Sequence, residues 1–178
     1  MSLLAERIVV VTREFLTDKN INECKEFNEP MFRAKLNHFG WDLPFAAGAI
    51  VCELIWKIAI GRESLGEYTN LDRLFSPSPI ATHANFRGSK NYKTGSLPEV
   101  GALAVYRRGN SWQGYMAIVT NVAGDKQNFD VAEGRILDGS EDRFLTLTEK
   151  TGKRMGLPFR EDKLNLVGFI YPPNREIN

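Results

Sequence analysis

Three features of the chain predict an α+β fold in which N-terminal helices pack on a C-terminal antiparallel sheet of about five strands. Apolar residues recur at helical spacing through the first part of the chain. Short β-branched and aromatic runs separated by Gly, Asn and Asp fill the last part, and the two patterns form consecutive blocks instead of alternating. At 178 residues one hydrophobic core is the default. The expectation is therefore a single domain over 1–178, with a helical part to about residue 60, a long connection over about 61–96 and a sheet part over about 97–172.

The first helix is expected from Leu3 to about Leu16, where Leu4, Ile8, Val11 and Phe15 fall on one face and charged residues on the other. Thr17 to Glu29 is polar and reads as a loop. Pro30 suits the first position of a second helix that carries Phe32, Leu36 and Phe39 inward and stops at Gly40. Pro44 opens a third, from Phe45 to about Ile60, apolar enough to be central. The stretch from Gly61 to Thr94 has the Ser-Pro-Ser-Pro run of Ser76 to Pro79 and little periodicity, so it is expected to be an irregular connection that caps a groove. Strands are expected at Ala102–Tyr106, Tyr115–Val122, Phe129–Glu133, Phe144–Thr148 and Leu166–Tyr171.

Composition limits the function classes. With 43% hydrophobic and 25% charged residues the chain is neither disordered nor fibrous, and 23 Lys and Arg against 22 Asp and Glu leave no global field to draw it to nucleic acid or an anionic membrane. The longest apolar run, Leu43 to Ala59, is interrupted by Glu53 and Lys57 and is shorter than the roughly 20 clean residues of a bilayer span. Glu6, Arg7, Arg13 and Glu14 interrupt the first turns, which argues against a secretory signal there; the compartment is left open between the cytoplasm and export by another route. Cys24 and Cys52 allow one disulfide at most and have no paired spacing for zinc. His38 and His83 lie far apart, so neither a metal nor another cofactor is expected.

Three stretches then carry a resemblance. Gly40 to Val51 reads Gly-Trp-Asp-Leu-Pro-Phe-Ala-Ala-Gly-Ala-Ile-Val. Leu97 to Tyr106 reads Leu-Pro-Glu-Val-Gly-Ala-Leu-Ala-Val-Tyr and is followed by Gly-Tyr-Met-Ala-Ile-Val at Gly114 to Val119. Val131 to Arg135 reads Val-Ala-Glu-Gly-Arg, and Val167 to Pro172 closes the pattern with Val-Gly-Phe-Ile-Tyr-Pro. In this order they resemble the CHAP family (cysteine, histidine-dependent amidohydrolases/peptidases) and its NlpC-like relatives, papain-like hydrolases that cut peptidoglycan peptides. The resemblance implies a papain-like fold over most of the chain. It also sets Ala46 at the position of the nucleophilic cysteine, Tyr115 at that of the catalytic histidine and Arg135 at an asparagine; Glu133 alone keeps its residue type.

Alanine supplies no nucleophile, and a phenol with an ordinary pKa of about 10 is a poor proton acceptor at pH 7. Cys52 is no substitute, because six residues along the helix turn it away from the direction of Ala46, whereas Glu53 at seven returns to it. It reads as a small buried hydrophobe, and Cys24 as a surface thiol. His38 reads as a partner for the last carbonyls of a short helix, and His83 as a loop residue, solvated or overhanging a groove. Glu133 is either a remnant of the old site or a hydrogen-bond partner for Tyr115. Arg135 either pairs with Glu133 or holds a ligand carboxylate in its fork.

Trp41, Trp112 and Phe86 are candidates for a groove wall, Trp56 for the core, and Lys90, Lys93, Arg107 and Arg108 for a solvated face. The leading expectation is a degenerate family member that binds a peptidoglycan stem peptide or a protein partner, with Trp41, Phe45, Tyr115, Glu133 and Arg135 as the candidate ligand contacts. One alternative is an active hydrolase in which Ala46 replaces a natural cysteine or the register is misplaced. The other is a purely structural interaction module, for instance of a phage, secretion or mobile-element assembly, whose cleft is filled by side chains such as Phe45 and Tyr115.

Overall fold

The structure is a computed structural model that describes residues 2–17, 21–40, 46–61, 64–138, 143–155, 160–161 and 164–173. Five α-helices precede one antiparallel sheet, so the α+β class holds. Helix α1 spans Leu3–Thr17 and buries the predicted stripe of Leu4, Ile8, Val11 and Phe15. The polar segment after it is not a free loop. A 3-10 turn at Ile21–Glu23 and the side chains of Ile21 and Phe27 anchor it in the core.

Helix α2, Pro30–Lys35, begins on its proline and runs into a π-helical turn, Leu36–Gly40; Phe32 and Leu36 are buried. Helix α3, Ala46–Ile60, is the central one, with every residue but Ile58 buried. Pro44 and Phe45, where its start was expected, lie outside the described residues.

The expected long connection is instead two helices, α4 at Leu65–Leu74 and α5 at Pro79–Gly88. The Ser-Pro-Ser-Pro run is the start signal of α5. Ser78 is the N-cap, its hydroxyl accepting from the Ala81 N–H at 3.3 Å, and Pro79 takes the first turn, where a missing N–H costs nothing. The Thr82 hydroxyl donates to the Ser76 carbonyl and accepts from the Ser76 N–H, both at 2.9 Å, so the run is tied back onto the helix it opens. Phe86 does not wall a groove. It is fully buried, edge-on to Trp56, Phe75 and Tyr92 in an aromatic cluster that joins α3, α5 and the sheet side of the core. Trp56 is in the core as expected.

Each of the five expected strands is present. They are β2 (Leu103–Arg108), β3 (Gly114–Val122), β4 (Asn128–Asp138), β5 (Arg143–Arg154) and β7 (Leu164–Tyr171). Two short strands join them, β1 (Lys93–Gly95) and β6 (Arg160–Glu161). The order across the sheet is β1-β7-β2-β3-β4-β5, with β6 also pairing β7, and every pairing is antiparallel.

Alternation along the strands divides the sheet's side chains between two apolar clusters. Leu103, Val105, Met116, Ile118, Ala132, Leu145 and Leu147 pack with residues of α1 and α3. Ala104, Tyr106, Ala117, Val119, Phe129, Val131 and Phe169 form a second cluster to which no helix contributes. Phe129 of β4 and Phe169 of β7 touch edge-on at 5.5 Å between ring centroids, although two strands separate them and a flat sheet would hold their backbones about 14 Å apart. The sheet is therefore curled, and the second cluster fills its concave face.

Candidate functional site

The expected site residues fall on the two sides of this sheet. Ala46 begins α3 and is fully buried in the helix-side cluster. Helix α3 crosses the sheet where Gly48 lies against the Met116 backbone and where Gly134 faces Val51 and the Ala47 carbonyl. Tyr115 is the neighbour of Met116 and points the other way, packing against the helix-free cluster beside Tyr106 at 6.4 Å between ring centroids. Ala46 and Tyr115 therefore do not face each other across a cleft.

What the structure brings together is Tyr115, Glu133 and Arg135, all on the concave side. Strand β4 extends past the predicted end at Glu133 to Asp138, which leaves Glu133 and Arg135 two residues apart on one face. Glu133 is buried and Arg135 is half exposed, with 4.0 Å between the guanidinium and the carboxylate. Two cations that the sequence reading missed complete the cluster, Lys150 at 3.2 Å from Glu133 Oε2 and Lys153 at 3.9 Å from Oε1. They come from β5, whose register against β4 shifts at an irregularity between Phe129 and Val131, a feature that strand alternation alone does not reveal. Burial, and after it the Glu133 carboxylate, push the Tyr115 phenol well above its ordinary pKa, and the same two causes act on Tyr106. Both rings stay protonated donors, and neither can accept a proton near neutral pH.

Cys52 is buried in α3, and burial alone pushes its pKa up, with no imidazole among the groups acting on it. Cys24 is half-buried, not a plain surface thiol, and its Sγ donates to the Ile21 carbonyl at 2.9 Å. His83 belongs to α5, not to a loop. Burial, then Arg87 and Arg107, lower its pKa, so it sits neutral among cations. His38 is exposed on the π-helical turn. Trp112 is 60% exposed in the β2–β3 turn, and Arg107 is half-buried whereas Lys90, Lys93 and Arg108 are exposed. Trp41 and Phe45 lie outside the described residues. Among the described residues no group of three or more His, Cys, Asp or Glu side chains is placed to hold a metal, and no helix is long and apolar enough to cross a membrane.

A second polar constellation, absent from the sequence reading, lies between α2, α3 and α4. Lys57 is fully buried and contacts Asp72, Glu29 at 3.2 Å and Glu53 at 3.7 Å; Lys35 holds Glu53 with bonds of 2.8 and 3.0 Å. The Tyr68 hydroxyl donates to Glu29 at 2.9 Å. The signal was the pair Glu53 and Lys57, one helical turn apart in an otherwise apolar run, which had served only to exclude a membrane span. Burial raises the Glu53 pKa to about 6 against the pull of Lys35 and Lys57. A carboxyl whose folded pKa lies above its unfolded value binds its proton more tightly in the folded state. Stability is thus expected to fall as pH rises from about 4.5 through 6, by about 2 kcal/mol in all. Urea unfolding at pH 5 and 7.5 should show about 1 kcal/mol of this drop in the wild type but not in Glu53→Gln; an equal pH dependence of the two would refute it.

Comparison with protein-family models, with curated proteins and with solved structures finds no match to this chain.

Proposed function

We propose that this chain is a catalytically degenerate relative of the CHAP and NlpC-like peptidases, a papain-like domain that binds a peptidoglycan stem peptide instead of cutting it. Support comes from the order of the resembling segments, from Ala46 with no nucleophile and from phenols that cannot serve as a base. The observation that carries the binding reading is the convergence of Tyr115, Glu133 and Arg135, from two strands, on the sheet face whose cluster takes no helix residue among the described residues. The ligand surface in this reading is the partly exposed Arg135 and Lys150 beside the buried cluster that fills the face, and not a cleft between α3 and the sheet.

Calorimetric titration of the whole chain with defined muropeptides tests it. Arg135→Ala should weaken binding about tenfold, the loss of one charge-assisted contact at a partly exposed site. Release of peptide fragments from purified peptidoglycan, abolished by changing one of the chain's own residues, would overturn the proposal in favour of an active hydrolase. Absence of heat at millimolar muropeptide would leave the interaction-module reading, which the filling of the concave face by Phe129 and Phe169 favours.

A further inference from the structure

We infer that Arg135 and Lys150 form a subsite over Glu133 that holds a carboxylate of the bound peptide, so that the ligand class is a peptide with a free, unamidated carboxylate. The inference rests on the peptide-binding reading above and adds the chemical group recognised.

The subsite is built by the β4–β5 hairpin. Thr148 pairs with Glu133, Thr146 with Arg135 and Lys150 with Val131. Directly paired residues of an antiparallel ladder share a face, so both threonine hydroxyls lie on the side of Glu133 and Arg135. Lys150 Nζ and the Arg135 guanidinium stand 3.2 and 4.0 Å from the same oxygen, Glu133 Oε2, which places the two cations at most about 7 Å apart. A single carboxylate with a charge-assisted bond of about 2.8 Å on each side spans such a gap.

Charge argues the same way. Among the described residues Arg135 and Lys150 both pair with one carboxylate, Glu133, so this pair of cations carries one positive charge in excess of it in a setting partly removed from water. The Arg135 contact, at 4.0 Å, is longer than a hydrogen bond, and its half-exposed planar fork matches the two oxygens of a carboxylate. Lys150 is about one-third exposed and meets the same Glu133 oxygen. Glu133 in the middle also selects among anions. A dense polyanion such as a nucleic acid would set further negative groups against it, whereas one carboxylate settles beside the cations.

The test compares two muropeptides that differ only in whether the stem carboxylates are free or amidated, titrated into the wild type, Lys150→Ala and Arg135→Lys, with N-acetyl-D-alanine and inorganic phosphate as small probes. Circular dichroism of each variant confirms that it is folded. The wild type should bind the free form at least tenfold more tightly than the amidated one. Both variants should reduce that preference to about twofold, because Arg→Lys keeps the charge but loses the fork. Equal affinity of the wild type for both muropeptides would overturn the carboxylate subsite and leave peptide binding standing. Phosphate binding as tightly as N-acetyl-D-alanine would also overturn it, since the site would then read charge alone. If neither muropeptide binds, but N-acetyl-D-alanine binds the wild type and not Lys150→Ala, the subsite stands and the peptidoglycan reading falls. Silence of all four probes overturns both.

Discussion

Replacing Lys57 with alanine is expected to destabilise the fold by about 3–5 kcal/mol, the cost of leaving buried charges without their counter-ion. The Lys57 ammonium has no exposure and reaches Asp72, Glu29 and Glu53. It also lies 4.9 Å from the ring centre of Tyr68 and 5.9 Å from that of Phe32. Without it, among the described residues, three carboxylates in one region are left with a single cation, Lys35, which is already committed to Glu53 and to the Asp72 and Phe75 carbonyls. Burial opposes the charged form of Lys57, and Glu53, Asp72 and Glu29 overcome that opposition and hold its pKa above the ordinary value. Domains of this size are stable by about 5–15 kcal/mol, so the loss removes a large part of the whole. Urea unfolding measures it. The double variant Lys57→Met with Asp72→Leu should lose less than Lys57→Ala, because apolar groups of similar volume need no partner. A single variant within about 1 kcal/mol of the wild type would show that the network does not hold α4 to α3.

Gly48→Val is expected to cost about 3 kcal/mol, the upper part of the range for overpacking. In an exposed helix, replacing glycine gains something under 1 kcal/mol of propensity. Here a Cβ would overlap the Met116 carbonyl oxygen, which belongs to the backbone of a central strand and cannot step aside. The steric loss therefore outweighs the propensity gain. Gly134 meets the same helix from the other strand, its missing Cβ lying 2.6 Å from Val51 and 2.8 Å from the Ala47 carbonyl. Gly66 in α4 is the control. Nothing lies within 4 Å of its missing Cβ, so Gly66→Ala should be neutral or stabilising by up to about 1 kcal/mol. Thermal unfolding of the two variants beside the wild type compares them directly. If Gly48→Val matches the wild type, the close seating of α3 on β3 is not needed for stability.

Helices α1 and α2 were legible in the sequence from a one-sided apolar pattern at helical period, α3 from its long apolar run, and the five longer strands from short β-branched and aromatic runs between turn residues, although β2 and β3 bury both faces. Helices α4 and α5 were not. In α5 the residues facing the core include Pro79 and Thr82 besides Phe86, so its face shows little hydrophobic periodicity, and the prolines just before and at its start, Pro77 and Pro79, look like punctuation. Only the cap geometry at Ser78 distinguishes a helix start from a turn. For the candidate site, Tyr115, Glu133 and Arg135 came from local segments and the structure gathers them. Lys150 and Lys153 did not, since their approach to Glu133 depends on how β5 registers against β4. The separation of Ala46 from Tyr115 depends on which way the strand alternates at Met116, a one-residue matter that segment order leaves open.

Strand β7 lies between β1 and β2, both of which precede it in the chain by the whole of the β3-to-β6 run. On a ribosome, β1 must therefore wait beside an empty slot until the last strand has emerged, and helix-first collapse cannot complete the sheet on its own. Such long-range closure makes for slow folding and a period in which the bare edges of β1 and β2 are open to wrong partners.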